Sequence, residues 1–206
     1  MFHRHQFNHD KACPGLGPAH WHAWRCSLWL RIVRVVVVLV NLPLHAQEMP
    51  VSEYEVKAVW LLNFARFVEW PAAAFTNAHC PVVVGVLGKD PFGRDLEKAL
   101  EGKTVQGRSF QIKRVSTDAE MRGCHILFIA ATERRRLRDL PEKLKGASVL
   151  TVGESDEFLD QGGIINFLLK DKTVRFEINL KAAQPAELKL DANLLKVAVA
   201  VRGKYD

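Results

Sequence analysis

Two apolar runs separated by a polar turn dominate the C-terminal part of the chain. Ile164, Ile165, Phe167, Leu168 and Leu169 form the first, Lys170-Asp171-Lys172-Thr173 the turn, and Val174, Phe176, Ile178 and Leu180 a strictly alternating second. That alternation across a short polar break predicts a β-hairpin over residues 161–180. Arg175, Glu177 and Asn179 fall on the other face of its second strand, so one side enters a core and the other presents a polar row.

Earlier in the chain the period changes. Ser52-Glu53-Tyr54-Glu55 is a capping-box sequence, and a helix is expected from Glu53 to Trp70, stopped by Pro71. Val56, Trp60 and Phe67 share one face, while Leu61, Phe64, Ala65 and Val68 spread apolar surface around most of the cylinder; Lys57, Asn63, Arg66 and Glu69 interrupt it. A helix of this kind is buried between layers or meets a second surface, which makes Trp60, Phe64 and Phe67 the candidate partner-binding residues.

Pro81–Leu87 and Cys124–Ala130 are short, continuously apolar runs of the kind that form strands buried on both faces; Ala147–Val152 is a third. Ser109–Val115 alternates as a half-exposed strand. Between them, Asp90-Pro91 reads as the cap and first position of a helix, and Thr132–Lys145 is helical sequence broken at Pro141. Asp191 can cap a last helix running to about Arg202. Strands alternating with helices predict an α/β fold: a three-layer Rossmann-like domain with a largely parallel sheet and the C-terminal antiparallel hairpin at its edge. The loop at Gly85 and Gly88 lacks the GxGxxG spacing of a dinucleotide site, and a tight turn is the simpler reading.

Charge divides the chain in two. Of the formal +6, residues 1–46 carry +4, and residues 47–206 hold 24 basic against 22 acidic side chains. A near-neutral domain gives no reason to expect nucleic acid. In the first part, Arg31 and Arg34 precede an apolar segment over residues 35–44, followed by His45-Ala46-Gln47. That is the layout of a cleavable secretory signal peptide, and the apolar run is short for a membrane span. The expected organisation is a leader over 1–46 and a single α/β domain over 47–206, exported to the periplasm. Residues 1–24, rich in His, Trp and Pro, read as a leader extension in preference to a metal-binding tail.

Cys80 and Cys124 each open a predicted core strand. In an exported protein such a pair reads as a disulfide; a free redox pair and a metal site shared with His79 and His125 are the alternatives. The run Arg134-Arg135-Arg136-Leu137-Arg138 is an anion or headgroup patch or a solvated helix face, and the acidic residues around it favour the latter. Ser155 lacks a nucleophile elbow, so no catalytic set, metal or cofactor is expected. A small ligand would find polar groups at Asn63, Arg66, Arg175, Lys189 and Asp191.

Four blocks occur in order: Leu62-Asn63-Phe64-Ala65-Arg66-Phe67-Val68-Glu69-Trp70-Pro71, Leu150-Thr151-Val152-Gly153-Glu154-Ser155, Gly162-Gly163-Ile164-Ile165-Asn166-Phe167, and Val174-Arg175-Phe176-Glu177-Ile178-Asn179-Leu180. Together they closely resemble the YfiR family. The resemblance implies a periplasmic α/β protein, often a homodimer, that holds a membrane diguanylate cyclase off through the cyclase's periplasmic domain and so lowers cyclic di-GMP. It also implies a disulfide between Cys80 and Cys124. The expected function is an exported regulatory binding protein, with a periplasmic small-ligand sensor or carrier as the alternative.

Overall fold

The computed structural model describes residues 52–204; the leader, and with it the expected signal peptide, lies outside the described residues. The first helix, α1 (Glu53–Phe67), begins at Ser52, whose hydroxyl accepts from the Glu55 N–H at 3.0 Å. It ends three residues before the expected Trp70, because Val68–Glu69 extends into a two-residue strand, β1. β2 (Val82–Leu87), β4 (Arg108–Val115), β5 (Ile126–Ile129), β6 (Leu150–Gly153), β7 (Ile165–Lys170) and β8 (Thr173–Asn179) form the body of the sheet. β3 (Thr104–Val105) and β10 (Ala200–Arg202) flank it, giving the order β10-β8-β7-β6-β5-β2-β4-β3.

All pairs from β4 to β7 are parallel, while β7–β8 and β3–β4 are antiparallel. The expected α/β architecture and hairpin are both present. The hairpin is not the edge, however: β10 adds outside β8 in parallel, pairing Val201 with Ile178.

Strand alternation builds two cores. Val82, Val84 and Val86 of β2 face one side, with Phe128, Ile165, Phe176, α1, α2 (Asp95–Leu100) and α6 (Ala192–Val197). Val83 and Leu87 face the other, with Leu127, Met121 of α3 (Asp118–Arg122), Leu140 of α4 (Leu140–Lys143) and Phe158. These are the three layers.

Three expected helices came out shorter. Asp90 does not cap α2; its side chain accepts from the Phe92 N–H and from Arg114, so the chain turns first and the helix starts at Asp95. Residues 131–139 form a 3-10 segment kinked at Glu133 and followed by the single turn of α4. Asp191 does cap the last helix, accepting from the Asn193 N–H, but α6 stops at Val197 and the chain extends into β10. The remaining pieces are α5 (Leu180–Ala183), capped by Asn179, and β9 (Lys189–Leu190), which pairs antiparallel with β1.

Candidate docking face and central cavity

Helix α1 has one deeply buried side and one unfinished side. Ala58, Leu61, Phe64 and Ala65 are fully enclosed, whereas Val56, Trp60 and Phe67 are half-buried and Val59 is exposed. Trp60 lies edge-on to Phe176 at 4.8 Å, so this side of the helix continues onto the inner face of the hairpin. The Val199 N–H donates to the Phe176 carbonyl, which brings the edge strand alongside.

The exposed large apolar side chains among the described residues are Val59 (46%), Leu169 (59%), Val197 (52%), Val199 (48%) and Val201 (38%). Val59 is on α1, Leu169 shares a cavity wall with Val56, Val197 ends α6, and Val199 and Val201 lie beside and in the β10 edge. Exposed apolar side chains of this kind on α1 and beside a sheet edge are candidates for contact.

Of the three expected partner-binding residues, Trp60 and Phe67 reach this face. Phe64 does not: it is fully buried and stacked between Trp60 at 5.8 Å and Phe167 at 5.6 Å. Val197 is helical as expected, whereas Val199 and Val201 belong to an extended segment where the sequence predicts helix; their spacing of two with β-branched side chains is the signal for a strand.

The five expected ligand residues do not converge. Asn63 and Arg66 are on the outer side of α1, and Asp191 lies nearby because its N–H donates to the Phe67 carbonyl. Asp191 itself is used as a helix cap, and Lys189 stands opposite Glu69 in the β1–β9 ladder. Arg175 points the other way: Val174 and Phe176 on either side of it enter the core beneath α1, so its side chain leaves from the opposite face. In the polar row, Glu177 lies 3.6 Å from Arg202, and Asn179 donates to the Leu159 carbonyl while capping α5. These two are structural.

A cavity of about 650 Å³ opens elsewhere, at the N-terminal ends of β2 and β5. Cys80, Gln111, Lys113, Arg122, Cys124 and His125 contribute to its wall. The disulfide expected between Cys80 and Cys124 is not formed, and both thiols are free. Cys80 Sγ faces the Pro81 carbonyl at 3.7 Å, and Cys124 Sγ donates to the Glu120 carbonyl at 3.3 Å. The Cys124 sulfur lies where a Cβ on Gly85 would come within 2.5 Å of it, so glycine is required there. Burial pushes the Cys124 thiol up to about 11, well away from the reactive thiolate range.

His125 forms the joint between that cavity and the core. Its Nδ1 accepts from the Val83 N–H at 3.0 Å, which leaves Nε2 to donate to the Ala74 carbonyl at 3.1 Å. The ring stacks on Phe75 at 4.4 Å, and Arg108 covers the other side of Phe75 at 3.9 Å while donating to the Asn77 and Cys80 carbonyls. Burial lowers the His125 pKa, the Ala74 contact opposes this, and the Arg108 charge adds to the lowering.

At the opposite, C-terminal ends of the strands, Lys57 fills the place where α/β folds often hold ligands. It is only 3% exposed and lies 2.7 Å from Glu154 and 2.5 Å from Glu53, with its ammonium 4.6 Å above the Tyr54 ring. Burial pulls the ammonium pKa down, but hydrogen bonds and the charges of Glu154 and Glu53 outweigh it, and the net shift is upward. Among the described residues no group of His, Cys, Asp and Glu has the geometry of a metal site, and no helix is long and apolar enough to cross a membrane.

Sheet order, two core layers and an incompletely covered helix face define a three-layer α/β domain with a largely parallel sheet. The YfiR/HmsC-like domain family (DUF4154) matches residues 54–199, and the chain belongs to that family. Membership supports a periplasmic regulatory role in cyclic di-GMP signalling. No curated protein matches the chain.

Among solved structures, a conserved domain protein from Vibrio cholerae O1 biovar El Tor is similar at TM-score 0.52 and 11% identity, covering 73% of this chain; the chain spans 60% of that structure's length. The ABC domain in complex with L-Trp from Streptococcus pneumoniae aligns at TM-score 0.42 and 13% identity, over 58% of this chain and 54% of that one. The first likeness concerns the fold alone.

Proposed function

We propose that the protein is an exported, homodimeric regulator that represses a membrane signalling protein, such as a diguanylate cyclase, by binding its periplasmic domain. The observation that carries this reading is the unfinished side of α1, where Val59 is exposed and Trp60 and Phe67 are half-covered in a domain of that family. Burying such a surface on a partner removes apolar area from water, at roughly 25 cal/mol per Å². The neighbouring β10 edge is read as the seam between two copies.

Deleting the gene is expected to raise cellular cyclic di-GMP. Val59→Glu, which changes an exposed position and leaves the core intact, is expected to reproduce the deletion with normal protein levels. An unchanged nucleotide level in the deletion strain rules out the cyclase version.

A second reading, a periplasmic small-ligand sensor or carrier, is favoured by the 650 Å³ cavity with Lys113, Arg122 and Gln111 in its wall. Its volume is within the range of small-molecule sites. Thermal-shift screening against amino acids, nucleotides and metals is expected to give a stabilising ligand, and no response from any of them would remove this reading.

A further inference from the structure

The arginine run at 134–138 divides into one structural member and three that line a cleft. Arg136 is consumed internally: it donates to the Ser116 carbonyl at 3.0 Å and lies 3.5 Å from Asp118 and 3.6 Å from Glu133. Arg134, Arg135 and Arg138 instead line an open cleft of about 590 Å³ with Thr132, Glu157 and Gln161.

Arg134 has one loose partner, Glu157, at 3.3 Å, with both side chains 54% exposed. Arg135 and Arg138 are exposed, and neither takes part in any ion pair, hydrogen bond or ring contact found among the described residues. Three guanidiniums against one carboxylate leave the cleft with an excess of two positive charges. A solvated helix face would distribute these side chains around an axis; the kinked 3-10 segment over 131–139 gathers them on one concavity.

We propose that this cleft binds a phosphate-bearing anion. Guanidinium groups match the geometry of phosphate oxygens through paired N–H donors, and an open cleft admits a headgroup standing on a surface as readily as a free ion. Two sources share this chemistry: an anionic phospholipid headgroup, which would seat the protein against the membrane, and a free phosphate or phosphomonoester.

The test compares the wild-type protein with an Arg134→Gln/Arg135→Gln/Arg138→Gln variant, using Arg136→Gln as the control. Each is co-sedimented with phosphatidylcholine vesicles, with and without phosphatidylglycerol, and titrated calorimetrically with inorganic phosphate. Binding to the anionic vesicles that weakens about tenfold or more in the triple variant, with the control unaffected, establishes the headgroup source. Calorimetric phosphate binding that disappears in the triple variant, with no vesicle binding, establishes the free-anion source. Equal binding by wild type and triple variant, or binding to neither probe, overturns the proposal. Near-UV circular dichroism of each variant guards against unfolding as the cause.

Discussion

His125 links segments that are far apart in the chain, and it does so only while neutral. Protonation would turn Nδ1 into a donor facing the Val83 N–H, with Arg108 stacked beyond Phe75 and Lys113, Arg122 and Glu187 in the same cavity wall. Its folded pKa is lowered, so as pH falls below about 6.5 the unfolded chain takes up a proton that the folded chain refuses. Stability is therefore fully present above about 6.5 and declines with falling pH until the folded pKa is passed. Urea denaturation across this range is expected to show that slope, and His125→Phe to flatten it while costing about 1–3 kcal/mol for the orphaned Val83 N–H. An unchanged slope in the variant refutes the assignment. Strand alternation in the sequence already separates His125 from Cys124 onto opposite faces, but nothing in it names Ala74 and Phe75, some fifty positions earlier, as the partners. The same limit applies to Lys57, which reads as a polar break in an apolar helix and is in fact a buried ion pair. Lys57→Met is expected to cost about 3–5 kcal/mol because Glu154 is left without its cation, and adding Glu154→Gln to recover much of it. If the double variant is no more stable than the single one by urea titration, the two groups are not coupled.

At the scale of elements, the buried strands were legible because continuous β-branched runs have few other uses, and the hairpin because its period is two. The glycines of the Gly153 and Gly162-Gly163 blocks acquire their reason only in three dimensions. A Cβ on Gly153 would lie 2.4 Å from the Phe158 ring, and one on Gly163 2.2 Å from it, so the two glycines form the slot into which Phe158 inserts from the loop that follows β6. Gly153→Ala is expected to cost about 1–3 kcal/mol by overpacking, and Phe158→Leu in the same chain to relieve part of that cost. A Gly153→Ala melting temperature equal to wild type would show that the ring has room to move. The last helix is shorter than its sequence pattern predicts for a related reason. Asp191 announces its start correctly, but residues 197–202 obey both a helical and a strand pattern, and the free edge of β8 decides between them by supplying the main-chain partners for Ala200–Arg202.

An open sheet leaves two edges, and the molecule treats them differently. At one, β4 is half-exposed and charged, with Lys113 and Arg114 among its outward residues and the two-residue β3 laid against part of it. Short strands and charges of this kind discourage further pairing. At the other, β10 carries Val199 and Val201 exposed beside it, has no proline, and its one charge, Arg202, is neutralised by Asp160 at 2.5 Å and by Glu177. The proposed homodimer would use this edge: a two-fold axis through Ala200 would set Val199 across from Val201 of its mate and pair the strands antiparallel. Multi-angle light scattering at micromolar concentration is expected to report a dimer. Val199→Lys/Val201→Lys, two changes on exposed positions, is expected to give a folded monomer with an unchanged far-UV spectrum. Wild-type protein that is monomeric under these conditions, or a double-lysine variant that remains dimeric, would show that β10 is not the seam. The Val59 face would then have to carry self-association and partner binding together, which a Val59→Glu variant measured in the same experiment would reveal as a change in mass.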